Sequence, residues 1–490
     1  MNTKTTPQPA PGGLGRGLFA STDIAVGEEV LHIPVPFVAV LDTEHLGDVC
    51  SGCFGQRQLE EEGIALKGCR GCGVVKYCDK TCQAKDWKLG HSLECSIYQQ
   101  LKPRVLPINA RAVLRMVLRS ERQKYASEEL DQFLQLGTHI KDIRDQSASQ
   151  WERISLSSKA IKAYSGTEMS EEVISAMGAK LDLNSFNLTN AVYDRLGVYL
   201  HPYAAIFNHS CDHNAAVSFD GPNLHIKALR PIQKGEQIFI TYIDVTDPYS
   251  IRQANLQSRY YFTCHCSKCT REASSSTGST TTTLHPAQQE AYNILQSLSS
   301  PNNHNISSSN DPTQPLLQAL TTLEKSSLPP TTQPSISLRD ELITALLAQQ
   351  KYKSAFAHAA ARYRAVDPVV YPHRGHPIRL LHAWVLARLA IHLSQGVEVQ
   401  HTGDGEIALE KYELNFNLII WSVLAALVAV EGIGGTGPGF WRLVKREFRG
   451  VHGEFVAAGL DPRGSLELER EIGMQWGKVD GVVRDLGFSI

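Results

Sequence analysis

The chain has no apolar run long enough to cross a bilayer. The longest, Leu418 to Val430, is 13 residues with one serine, against roughly 18 or more for a spanning helix, so a buried core helix is expected there and no membrane partner. Charge excess is missing as well: 48 Lys+Arg against 50 Asp+Glu give a formal net charge of −2 and a pI near 6.8. No domain-wide basic field results, and direct nucleic-acid binding is not expected. The amino terminus, MNTKTTPQPAPGG, lacks a charged region followed by an apolar one, so no secretory signal is expected. The Asn-x-Ser/Thr matches at Asn187, Asn208 and Asn305 then read as chance. With 490 residues, 42% hydrophobic and 20% charged, the composition is that of a globular protein of about three domains, which excludes fibrous, collagenous and wholly disordered chains.

Cysteine is absent from the last 221 residues, and its eleven copies fall at 50, 53, 69, 72, 78, 82, 95, 211, 264, 266 and 269. An odd number without a secretory signal argues for thiolates kept reduced as metal ligands, in cytoplasm, nucleus or both. The first cluster reads Cys50-x2-Cys53-x15-Cys69-x2-Cys72-x5-Cys78-x3-Cys82-x8-His91-x3-Cys95. Each Cys-x2-Cys step lets one turn offer two thiolates to one ion, and the x3 steps place ligands one helical turn apart. Eight ligands serve two tetrahedral zinc ions, closed and structural. So short a segment has little core, and metal must supply much of its folding energy.

With Tyr77 before Cys78 and Trp87 before His91, the cluster resembles the MYND zinc finger. The resemblance implies an interleaved pairing, Cys50, Cys53, Cys78 and Cys82 on one ion and Cys69, Cys72, His91 and Cys95 on the other. Some such fingers bind proline-containing peptides, which makes a proline-rich peptide an implied partner. Lys67, Arg70, Lys76, Lys80, Lys85 and Lys88 are expected as a solvated surface.

Around the finger a phrase repeats. Ile24-Ala-Val-Gly27-Glu28 follows the glycine-rich run Gly13 to Ala20, and Ile232-Gln-Lys-Gly235-Glu236 returns about 208 residues later, leading to Tyr242. Both read as strand-turn-strand pieces, and the glycine run has neither the preceding strand nor the following helix that a dinucleotide-binding loop requires. Asn208-His209-Ser210-Cys211 and Cys264-His265-Cys266-x2-Cys269, the latter after Tyr260-Tyr261-Phe262, complete the set. The three late cysteines need a fourth ligand and Cys211 is the cysteine left over. His265 is an alternative that would strand Cys211. Eleven cysteines with His91 then make three zinc sites.

In combination these motifs resemble the SET-and-MYND protein lysine methyltransferases, from about Gly12 to Thr270. The resemblance implies an α+β fold: a split SET domain of small twisted sheets, an inserted MYND finger, a post-SET zinc site and an α-helical, tetratricopeptide-like carboxy-terminal domain. It implies S-adenosylmethionine as cofactor, with three structural zinc ions, and a histone or non-histone protein lysine as substrate. Carried residue by residue, Gly15, Arg16 and Gly17 approach the cofactor, Asn184, Asn208 and His209 bind its polar groups, and Phe262 packs on its adenine. Tyr242 is the active-site tyrosine beside the cofactor, Tyr260 lines the lysine channel, and Cys211, Cys264, Cys266 and Cys269 close one wall. Arg16 stands where Asn is usual and Ala205 where Ser is common, so altered cofactor affinity is expected. The alternative reading is a catalytically weak zinc-dependent adaptor that binds partners through finger and tail.

The layout that follows is a disordered amino terminus over 1–11, SET halves over 12–49 and 185–262, the finger over 50–95, a helical insert over 96–184 and a post-SET segment over 263–270. A Ser/Thr/Asn/Pro-rich linker is expected over 271–335, with one helix near Ala287 to Leu298, and a helical domain over 336–490. Its helices are expected near Asp340 to Gln350, Ser354 to Val366, Ile378 to Ser394 and Leu409 to Val430. In the insert, Arg111, Arg115 and Arg119 recur every four residues and read as a solvated helix face.

Overall fold

The computed structural model describes residues 1–61, 63–275, 284–299, 311–396, 407–463 and 465–490. The chain forms two compact units. The first comprises Met1–Tyr242, Ala254–Cys264 and Gly435–Leu443, the second Ile243–Gln253, His265–Gly434 and Val444–Ile490.

The strands of unit 1 are short because each is bounded by turn chemistry. They are β1 Asn2–Thr3, β2 Thr5–Pro9, β3 Arg16–Ala20, β4 Glu29–Ile33, β5 Val38–Leu41, β6 Lys67–Gly68, β7 Lys76–Tyr77, β8 Phe186–Thr189, β9 Arg195–Leu200, β10 Asn208–His209, β11 Ala215–Asp220, β12 Asn223–Ala228 and β13 Gln237–Ile240. Among the described residues they form sheets β1-β4-β12-β11, β10-β13-β3-β2, β5-β9-β8 and β6-β7. The repeated phrases meet in space: β3 pairs antiparallel with β13 and β4 with β12, and Ile24 bridges Ile232. Their glycines, Gly27 and Gly235, have φ of 76° and 84°, a left-handed turn that glycine adopts without strain. Leu18, Ile24, Val30, Leu31, Ile232 and Ile238 from both halves fill one core.

The amino terminus, expected to be disordered, is instead a sheet edge. β2 pairs with β3 from Thr5↔Ala20 to Pro9↔Arg16. The buried Thr5 hydroxyl meets Tyr203 Oη at 2.9 Å, and that hydroxyl donates to the Thr5 carbonyl. Pro7 and Pro9 share one pleat phase with Thr5, whose N–H turns to its own neighbour Thr3. Proline there costs no ladder bond, which composition alone does not reveal.

The expectation for the arginine stripe is also corrected. Arg111, Arg115 and Arg119, on helix Ile108–Glu121, are buried. Arg111 Nη2 donates to the Leu41 carbonyl at 2.7 Å, Arg115 Nη1 to Ala39 at 3.0 Å, and Arg119 to Phe37. One helical turn advances about 5.4 Å and two strand residues about 6.7 Å, so successive turns meet every second carbonyl of β5. β5 pairs with β9 on one side, and the arginines satisfy its other edge. Arg115 also grips Glu94 of helix Ser92–Leu101 in a two-pronged pair of 2.7 and 2.8 Å, and lies 3.3 Å from Asp86. Burial alone would raise the Glu94 carboxyl; the Arg115 guanidinium overrides it and holds it at about 2.

Unit 2 is helical among its described residues, with Ser335–Ala348, Tyr352–Ala361, Pro377–Ser394, Phe416–Ala429 and Leu466–Asp485 packing in sequence order or nearly so. The apolar helix starts at Phe416, later than expected, because the Asn415 side chain caps it by accepting from Leu418 N at 3.3 Å. The linker expectation needs correction. Besides the foreseen helix Pro286–Ser299, helix Thr313–Lys325 buries Leu316, Ala319 and Leu323 on one face, a stripe that the Ser/Thr/Pro content obscured. The remainder of that expectation over 276–283 and 300–310 lies outside the described residues.

Candidate active site and zinc centres

The two ligand sets of the finger are already closed around a point. Cys50, Cys53, Cys78 and Cys82 form one and Cys69, Cys72, His91 and Cys95 the other, each with ligand atoms within 4.8 Å of one another. Zn–S bonds of about 2.3 Å at tetrahedral angles put sulfurs about 3.8 Å apart. Cys53–Cys78 and Cys69–Cys95 are each 3.8 Å, and His91 Nε2 lies 3.4 Å from Cys69 Sγ and 3.6 Å from Cys72 Sγ. The donor chemistry and spacing fit zinc. His91 Nδ1 faces the Glu94 carboxylate at 3.9 Å, which orients the ring with Nε2 toward the ion. Cys211, Cys264, Cys266 and Cys269 make a third set by the same criterion.

Short parallel pairing of β10 with β13, Asn208↔Phe239 and His209↔Ile240, brings Asn-His-Ser-Cys beside the strand that ends before Tyr242. Asn208 Nδ2 donates to the Arg16 carbonyl at 3.0 Å, tying this segment to the glycine loop. The Tyr242 backbone N–H donates to His209 Nδ1 at 3.1 Å, which leaves Nε2 as the protonated nitrogen of the neutral ring, 3.3 Å from Cys211 Sγ. One imidazole thus links the tyrosine to a zinc-set sulfur.

Two cavities meet at that tyrosine. The larger, about 590 Å³, is lined by Gly13 to Arg16, Asn184, Ala205, Asn208, His209, Tyr242, Tyr260, Tyr261 and Phe262, among others. The smaller, about 140 Å³, is lined by Ser185, Phe186, Asn187, Phe207, Thr241 and Arg259, and it shares Leu183, Asn184, Ala205, Tyr242 and Tyr260 with the first. Tyr242 is set in aromatic walls, its ring 4.9 Å from Tyr260 and 6.5 Å edge-on from Phe262. Its hydroxyl donates to the Phe207 carbonyl. Burial, then Tyr260, raise its pKa well above the usual tyrosine value, so the hydroxyl stays protonated at physiological pH.

Of the residues singled out in the sequence, Gly15, Arg16, Asn184, Asn208, His209, Tyr242, Tyr260 and Phe262 all line the larger cavity. Gly17 does not. A Cβ there would fall 2.4 Å from Gln237 Nε2 and 3.0 Å from Asn208 Nδ2, so its glycine seats Asn208. Gln135, His139 and Tyr261 line the cavity without having been foreseen. Gln135 Oε1 accepts from Arg16 Nη1 at 2.8 Å, and His139 stacks on Tyr261 at 5.3 Å. Tyr261 lay in a visible aromatic run; the insert residues carry no motif.

Comparison with known proteins agrees with this geometry. Residues 15–243 match the family model described as "SET domain". The chain is 32% identical over 256 residues to "SET domain and MYND-type zinc finger protein 6" of Schizosaccharomyces pombe, covering 52% of this chain and 50% of that protein. It is 29% identical over 284 residues to "N-lysine methyltransferase SMYD2" of Gallus gallus, covering 55% and 62%. It is 30% identical over 261 residues to "Histone-lysine N-methyltransferase SMYD3" of Homo sapiens, covering 52% and 59%. The chain thus spans about half to three-fifths of the length of the curated relatives it matches. Halves distant in sequence that join in common sheets, and ligand sets that fit two zinc ions between them, accompany a SET-domain match over residues 15–243 and a likeness, over about half of the chain, to proteins named for SET and MYND domains or for lysine methylation.

Proposed function

We propose that the protein is an S-adenosylmethionine-dependent protein-lysine N-methyltransferase. The observation that carries this reading is the pair of cavities sharing Tyr242 and Tyr260 as a common wall, one of about 590 Å³, roomy enough for a nucleoside cofactor, and one of about 140 Å³, with room for little more than a side chain. When bound, the cofactor supplies an electrophilic methyl group on a sulfonium. Gly15 and Arg16 approach it through backbone, Gly17 holds Asn208 in place, Asn184, Asn208 and His209 meet its polar groups, and Phe262 packs on its adenine.

The residues of this chain then have two tasks. A free lysine with a pKa near 10.4 is almost wholly protonated at neutral pH. Removal from water in the narrow channel lined by Tyr242, Tyr260 and Phe207 disfavours the ammonium and lowers that pKa. The Tyr242 hydroxyl, already fixed by Phe207, orients the amine for in-line attack, a role that needs a placed oxygen and no change of charge. In the same reading the SET halves are 12–49 and 185–262, the finger 50–95 and the post-SET segment 263–270. The exposed Trp87 ring supports a proline-containing peptide as a partner of the finger.

Incubation with methyl-labelled cofactor and a whole-cell extract tests the proposal. Label on lysine side chains of extract proteins, mapped by mass spectrometry, is expected. Label confined to other residue types, or none with protein that binds the cofactor, contradicts it.

A further inference from the structure

The smaller cavity has a single charged side chain among its described lining residues, Arg259, at the last turn of helix Tyr249–Tyr260. The guanidinium lies 5.3 Å from the Tyr260 ring centroid, and the Tyr260 ring lies 4.9 Å from that of Tyr242. Arg259 is exposed, and among the described residues no carboxylate lies within ion-pair distance of it. The other arginine near this wall, Arg195, is occupied by Asp42 at 2.8 Å and by Asn187. The rest of the lining is apolar or neutral, with Ser185, Asn187 and Thr241 as its polar members. A cation held against one wall of the channel, with no counterion among the described residues, biases what lies beside a lysine that enters.

We propose that Arg259 determines substrate specificity by selecting proteins with a carboxylate near the target lysine. This rests on the methyltransferase reading and adds the substrate class, lysine in an acidic context. The tyrosine ring restrains the guanidinium, so little side-chain entropy is lost when it pairs. An extended peptide rises about 3.3 Å per residue, so with the lysine side chain at Tyr242 the guanidinium reaches side chains two or three positions away. A helix C-terminus favours a cation there in any case, and the test must separate that local role from recognition.

The probes are synthetic peptides with one lysine flanked two positions on either side by Glu, Gln or Lys. Their binding to full-length protein is read by fluorescence anisotropy in the presence of S-adenosylhomocysteine, and methyl transfer is measured in parallel. The wild type should bind and turn over the Glu-flanked peptide several-fold better than the Lys-flanked one, a preference that shrinks with salt. In Arg259→Glu the order should invert, and in Arg259→Gln it should vanish, with cofactor affinity unchanged in both. Binding preference with no transfer to any peptide or extract protein would count against the methyltransferase reading while supporting the role of Arg259. The same preference in Arg259→Glu as in the wild type, or no preference in either, overturns the proposal. Loss of cofactor binding in both variants would assign Arg259 a structural role and also overturn it.

Discussion

Arg111, Arg115 and Arg119 recur every four residues, and nothing in that spacing says whether water or backbone oxygen receives them. What decides is β5, whose free edge offers carbonyls at a matching pitch, a tertiary fact that helix periodicity does not contain. Tyr242 was legible for the opposite reason, because its place follows from a short local grammar, Gly235-Glu236 and five residues more. Arg115→Met should be severe. It strips Glu94 and Asp86, both buried, of their counter-charge, at a cost of about 3–5 kcal/mol. Urea unfolding followed by intrinsic fluorescence measures this, and adding Glu94→Gln should recover part of the loss. An Arg115→Met protein as stable as wild type would mean that the pair is not buried in solution.

At the scale of elements, that the two repeated phrases pair with each other is a tertiary fact the structure adds, but their turn-bounded strands could be read ahead, since alternating β-branched residues and a Gly-Glu turn are local signals. The edge strand β2 could not, because Thr-Thr-Pro-Gln-Pro has the composition of a flexible end and becomes a strand only where β3 presents a partner. β3 carries Arg16 and Gly17, opposite Pro9 and Gln8. Removing residues 1–9 should therefore loosen the glycine loop and weaken cofactor binding about tenfold or more, while leaving the finger folded. Calorimetric titration with S-adenosylmethionine, with zinc content as the control, checks this. Unchanged affinity would show that the glycine loop holds its shape without the strand.

Across the whole molecule, the cysteine count forecast metal with little help from fold, because eleven cysteines and His91 divide into three fours and the folded chain groups them so. Elemental analysis of undenatured, desalted protein should give close to three zinc ions per chain; two would leave the Cys211 set unfilled. Acid should weaken unit 2. Burial first, then the Arg339 guanidinium 2.8 Å away, push the His358 pKa down to about 3. Below its unfolded value near 6.5 the unfolded chain takes a proton that the folded chain refuses, so stability is complete above pH 6.5 and falls on acidification. The loss from this residue is about 2 kcal/mol between pH 7 and pH 5, and His358→Gln should flatten the decline by that amount. The central claim is that Tyr242 places the amine for transfer, and Tyr242→Phe tests it most directly, removing one hydroxyl and keeping the ring. Methyl transfer and S-adenosylmethionine affinity are measured on the same preparation, with Asn208→Ala as the cofactor-binding control. The account predicts affinity within a few fold of wild type and a rate lower by about 100-fold or more; a Tyr242→Phe protein that binds cofactor and methylates at the wild-type rate would contradict it.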